Sequence, residues 1–285
     1  MRRVPSLLAV VTVIVSAPGL GAQTGASRTA LAIVSDAKNH SIVDVGADDF
    51  VILEAGQARE VLSVRVADYP VVLMLDTGSD ARTDFELMRK AVARFIDRLG
   101  TRPIAIGTLG DPPTMLTPFE DDRQKLVETL DALEVSPTAH SMLLQGAAVG
   151  AEAIRATGAL FSALVVLSAT SSDVSRRNSD ELVASIVDSG AVLHVIANRS
   201  TQVFGQLGQI RSGQVLRSIA EQTRGDYRVM YSPASYQPAL DRLSDRLTTE
   251  MMVEYLVPPG SKPVDVKVGV RVAGAKVRGL GVAPR

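Results

Sequence analysis

The hydrophobic pattern of this chain changes period twice. Between Ala30 and about Ala67, short β-type runs (Ala30 to Val34, Phe50 to Glu54, Val61 to Val66) are separated by polar clusters such as Asp36 to Asn39 and Gly46 to Asp49. That pattern predicts strands joined by turns. From Pro70 onward the runs alternate with amphipathic stretches. Val71-Val72-Leu73-Met74-Leu75 is apolar at consecutive positions, the mark of a strand covered on both faces in a parallel sheet. Phe85, Met88, Val92, Phe95, Ile96 and Leu99 then recur at helical spacing, and Gly100 ends that helix.

The β-then-α order continues to about residue 250. It predicts strands at Pro103 to Thr108, Ala159 to Ser168, Ala191 to Ala197 and Tyr227 to Tyr231. Helices are predicted at Asp121 to Leu133, Ser141 to Thr157, Asp180 to Asp188, Val215 to Thr223 and Gln237 to Glu250. The expected class is α/β, a doubly wound, mostly parallel sheet flanked by helices. From Met251 the pattern returns to β, with Met251 to Val257 and then Val264, Val266, Val268, Val270 and Val272 in strict alternation with other residues, a half-buried strand. Neither flanking β segment has enough strands to be stable alone, so the two are expected to pair into one small β unit. The expected organisation is a leader at 1–22, a β segment at 28–68, the α/β domain at 69–250 and a closing β segment at 251–285.

Composition narrows the function classes. A hydrophobic fraction of 46% with 21% charged residues supports a globular core of ordinary size. A net charge of -1 argues against a nucleic-acid partner, which calls for a basic surface. Arg2 and Arg3, the apolar stretch Leu7 to Val15 and the small residues up to Ala22 read as a secretory signal peptide. The protein is therefore expected to be exported, periplasmic or secreted, with no transmembrane segment after cleavage. The absence of cysteine excludes a disulfide framework and thiolate chemistry.

Candidate chemistry centres on Asp76, which follows the buried run and opens Asp76-Thr77-Gly78-Ser79-Asp80. Ligands of parallel sheets sit beyond the strand C-termini. Asp-Thr-Gly-Ser is also an aspartic-protease signature, and Asp188-Ser189-Gly190 supplies a second aspartate for a pair sharing one proton. Context ranks that reading low, because Asp76 precedes a predicted helix and Asp188 closes one, whereas the protease loop joins strands. His40, His140 and His194 lack ligand spacing, and no phosphate-loop pattern follows any strand.

In this order of elements the chain resembles the von Willebrand factor type A domains of exported bacterial proteins, over roughly Ser35 to Val277. The resemblance is carried by Asp49-Phe50-Val51-Ile52-Leu53-Glu54-Ala55-Gly56, the strand to Asp76, Leu164-Val165-Val166-Leu167-Ser168, the Leu216 to Thr223 helix and Tyr255-Leu256-Val257-Pro258. It implies a divalent cation such as Mg²⁺ held by an Asp-x-Ser-x-Ser loop, a distant Thr and a second Asp, with a partner's carboxylate completing the coordination. On that pattern Asp76, Ser79, Asp80 and Thr138 would be the metal set, while Gly78 replaces the first Ser, Asp80 the second and Ala169 the second Asp. The metal-ion-dependent adhesion site is thus degenerate, and the rival reading makes Asp76, Ser79 and Asp80 a solvated loop, with Asp80 or Asp84 capping the next helix. The expected function is a non-enzymatic binding module for a protein or cell-envelope partner at Asp76, Ser79, Asp80, Thr138, Ala169 and Thr170. The alternative is a metal-free structural scaffold working through its β unit.

Overall fold

The computed structural model describes residues 26–120, 122–169, 173–175, 179–198 and 207–283. The predicted leader lies outside them, as does Thr170.

A buried strand, β5 (Val71–Leu75), lies at the heart of a sheet that also contains β6 (Ile104–Thr108), β7 (Thr114–Met115), β8 (Ser162–Ser168), β9 (Ala191–Asn198) and β10 (Asp226–Met230). Their order is β10-β9-β8-β5-β6-β7, all parallel except the β6/β7 pair. Side chains alternate across a strand, so β5 feeds two cores. Val71, Leu73 and Leu75 lie in one core with residues of α1 (Phe85–Arg98), α2 (Arg123–Asp131) and α6 (Tyr236–Thr249). Val72 and Met74 face the opposite core, which they share with residues of α3 (Leu143–Thr157), α4 (Ser179–Ser189) and α5 (Leu207–Gln222). Helices on both faces explain why β5 reads as apolar without alternation.

The remaining strands are β1 (Ala26–Ser35), β2 (Phe50–Glu54), β3 (Gln57–Arg59), β4 (Val61–Val66), β11 (Met251–Val257), β12 (Lys267–Val270) and β13 (Lys276–Ala283). They form two sheets, ordered β13-β1-β11-β4 and β12-β2-β3. Strands from before and after the α/β unit are therefore hydrogen-bonded neighbours, with Ala26 opposite Val257 and Ala32 opposite Met251. A third core fills the space between the sheets, including Ala30, Val34, Ile52, Val253 and Tyr255. Entry and exit of the α/β unit are adjacent, because Val66 pairs with Met251. The Tyr69 hydroxyl donates to the buried Glu250 carboxyl there.

Two sequence expectations change. The alternating valines from Val264 to Val272 yield a ladder only at Lys267 to Val270, opposite Leu53 to Phe50. Asp265, at φ 44°, is in the left-handed region that breaks a strand, although Val266, Val268, Val270 and Val272 still pack on the third core. The helix predicted from Asp121 begins at Arg123, because Asp122 accepts hydrogen bonds from the backbone N–H groups of Gln124 at 3.0 Å and Lys125 at 3.4 Å.

Candidate functional site

The chain leaves β5 toward β6 on one side and later returns to β8 on the other, so the sheet order reverses between β5 and β8. A crevice opens beyond the strand C-termini at such a switch point. Asp76 directly follows β5 there and Ala169 directly follows β8.

Asp76 is fully buried, and its carboxyl binds three loops. One oxygen, Oδ1, accepts from the Gly78 N–H at 3.1 Å and from the Ser141 hydroxyl at 2.5 Å. The other, Oδ2, accepts from the Ala169 N–H at 3.0 Å. Backbone bonds join the same loops: Ser79 N–H to the Ala139 carbonyl at 2.9 Å, and Ser136 N–H to the Thr77 carbonyl at 2.9 Å. The loop before α3 is fastened in turn by Asp173, whose Oδ1 accepts from the Leu143 N–H at 2.8 Å.

The missing side chain at residue 78 has a structural counterpart. A Cβ built on Gly78 would lie 2.2 Å from the Ser141 hydroxyl oxygen, so the space where the family's first serine would begin is filled by Ser141. Gly78 has φ -68°, so backbone strain does not demand a glycine here; the approach of Ser141 does.

Behind Asp76 lies a second polar layer. Asp84 stands at the start of α1, but its side chain makes no cap bond. Its carboxyl instead accepts from the Thr83 hydroxyl at 3.1 Å and from the Asn198 amide at the end of β9. The buried Tyr236 hydroxyl donates to the Ser168 carbonyl at 2.9 Å. Burial, followed by the charges of Asp76 and Asp84, holds that phenol well above its usual range.

These placements sort the candidate residues. Asp76 and Ala169 are buried, and both organise the loops. Asp80 and Thr138 are exposed and Ser79 is half-buried. The hydroxyl that reaches Asp76 comes from Ser141, three residues beyond the Thr138 expected from the family pattern. The signal for it was weak: Ser141 stands where the predicted helix begins, but nothing in the local pattern ties it to a residue 65 positions earlier. The protease pairing fails on topology. Asp188 closes α4 just before β9, and Ala191 at the start of β9 pairs with Ser162 at the start of β8. Asp76 lies at the other end of the sheet, a strand length or roughly 17–20 Å away, too far for a shared proton.

No protein-family model matches the sequence, and no curated protein matches it. Solved structures do. A von Willebrand factor type A protein from Catenulispora acidiphila aligns with a TM-score of 0.56 at 14% identity, covering 85% of this chain and 74% of that one. This chain has the von Willebrand factor type A fold. The type A fold is shared with proximal thread matrix protein 1 from the mussel byssus, at a TM-score of 0.51 and 12% identity over 72% of this chain. A form of that mussel protein described as having a zinc-occupied metal-ion-dependent adhesion site aligns with a TM-score of 0.51 and 12% identity over 68% of this chain. The alignments span about half of the mussel protein, 50% and 49%.

The type A metal site can be tested against the residues present. A divalent cation needs oxygens turned toward it, about six for Mg²⁺. Here the first hydroxyl position is empty of side chain, and both Asp76 oxygens already accept protein hydrogen bonds. At the position of the second aspartate, Ala169 presents an N–H whose positive end points toward Asp76. Among the described residues no group of three His, Cys, Asp or Glu side chains could hold a metal ion. The described residues do not fit the cation: the Asp76 oxygens point at protein donors.

Proposed function

We propose that this protein is an exported, non-enzymatic binding module that engages a protein or cell-envelope partner through the rim of loops around Asp76, without a metal ion. The observation that carries this reading is the fastening of three loops to one buried carboxyl, at Gly78, Ser141 and Ala169. A cation in a type A domain joins loops and also offers a charge to the partner. Here Asp76 does the joining, and recognition passes to exposed side chains such as Asp80 and Thr138, with Ser79 between them. The leader read from residues 1–22 supports export.

A second reading has its own observation. Strand β4 is the end strand of its sheet, and Leu62 and Val66 on it are 43% and 45% exposed. An open, partly apolar edge can accept another chain, which is what a scaffold subunit would use. Photo-crosslinking groups placed singly at Asp80, Thr138 and Leu62 in the producing cell separate the two. Rim binding predicts adducts from Asp80 and Thr138 that persist in EDTA. Adducts from Leu62 alone would support the scaffold, and rim adducts that vanish in EDTA would restore a metal-dependent module.

A further inference from the structure

His194 is the one histidine inside the fold. It sits on β9 two residues before Ile196, on the same side of the strand, and is 1% exposed. Neither ring nitrogen has a hydrogen-bond partner. A buried polar group left without a partner costs about 1–3 kcal/mol, so a well-packed fold keeps one only where something offsets the loss.

The imidazole lines a cavity of about 120 Å³ between α6 and the β9/β10 edge of the sheet. That space holds more than a single water, whose share of the liquid is about 30 Å³. Arg228, Arg242 and Arg246 line the same cavity, with Asp226 and Leu243. Asp226 pairs with Arg228 at 2.7 Å and Glu250 pairs with Arg246 at 3.1 Å. Among the described residues Arg242 has no ion pair, so the cavity keeps a net positive charge. An uncharged donor at the floor and guanidinium groups around the walls form the chemistry that binds oxygen anions, because charge-assisted N–H bonds to such oxygens are strong.

We propose that this cavity binds a small oxyanion of about phosphate size, with His194 donating from the floor and Arg228, Arg242 and Arg246 supplying charge and hydrogen bonds. The site lies under α6, on a face of the sheet, and is separate from the loops around Asp76. It does not depend on the partner-binding reading.

The test follows the imidazole resonances of the protein at neutral pH while inorganic phosphate is added against sodium chloride of equal ionic strength. Replacing the exposed His40 and His140 by Gln leaves one imidazole, that of His194. Phosphate should shift this resonance saturably while chloride does not. Arg242→Gln, a change at an exposed position, should weaken the apparent affinity about tenfold, the effect of losing roughly 1.4 kcal/mol. No shift, an equal shift with chloride, or an affinity unchanged in Arg242→Gln would overturn the proposal and leave the cavity to water.

Discussion

The Ser141 hydroxyl donates to Asp76 from the place that a side chain on residue 78 would occupy. Glycine at 78 and serine at 141 are thus one feature divided between two loops. The pair makes a coupled prediction. Gly78→Ser alone should destabilise the protein by about 1–3 kcal/mol, the usual cost of overpacking. Ser141→Ala removes the closest of the contacts that a Cβ at 78 would make, leaving the residue 141 backbone nitrogen at 3.1 Å and Asp76 Oδ1 at 3.3 Å, so the double variant Gly78→Ser/Ser141→Ala should be more stable than the sum of the two single changes implies. Urea unfolding of the four proteins measures this coupling, and strict additivity would show that the two residues do not share the space.

Asp76 itself should matter for stability as well as for recognition. Removing its carboxyl strands the Gly78 and Ala169 N–H groups and the Ser141 hydroxyl in a buried site, each at a cost of about 1–3 kcal/mol. Asp76→Ala should therefore lose at least about 3 kcal/mol by urea unfolding. Asp76→Asn keeps one accepting oxygen and should lose less. Equal losses in the two variants would mean that packing, and not hydrogen bonding, holds the loops.

Much of this architecture was legible because it is written in local periodicity. The unbroken apolar run of β5 and the helical spacing from Phe85 to Leu99 each predict their element, and both are buried as that pattern requires. The site was legible only in part. The position of Asp76 at a strand end follows from the run before it, but its partners Gly78, Ser141 and Ala169 come from three loops that meet only in the folded sheet. Asp84 shows the same limit. Its place at the start of α1 can be read from the helix pattern, while its bond to Asn198, 114 positions away, depends on how β9 lies beside β8. Asp265 marks a third case, where one left-handed residue shortens a strand whose valines alternate perfectly.

The β unit contains a buried ion pair between Arg28 of β1 and Glu54 of β2, with side chains 2% and 3% exposed. Arg28 also donates to the Ser261 hydroxyl at 3.1 Å. Arg59 also faces Glu54, at 3.4 Å, so Arg28→Met leaves the buried carboxylate with one cation in place of two and should cost less than the ~3–5 kcal/mol of breaking an isolated buried pair. Replacing all three charged groups, in Arg28→Met/Glu54→Leu/Arg59→Met, should recover most of that loss, because Glu54→Leu without the change at 59 would strand Arg59. Thermal unfolding at fixed pH checks both variants, and a single change that is neutral would contradict the buried placement.

His194 sets a pH dependence. Burial, and then the charge of Arg246, hold its imidazole well below the usual histidine value. The unfolded chain therefore takes up a proton as pH falls through about 6.5 while the folded protein does not. The stability tied to His194 is fully present above that pH and is lost as the pH falls toward the depressed folded value, at about 1.4 kcal/mol per pH unit at most. His194→Gln should flatten this slope between about pH 6.5 and 5. Urea midpoints across that range measure it, and an unchanged slope would place the acid sensitivity elsewhere.

With protein donors around Asp76 where the type A fold would hold a metal, the protein should not need a cation. Isothermal calorimetry with Mg²⁺ and with Mn²⁺ reads this out. No saturable heat is expected, and the unfolding midpoint should be the same in EDTA and in excess Mg²⁺. A saturable heat that disappears in Asp76→Ala would contradict it.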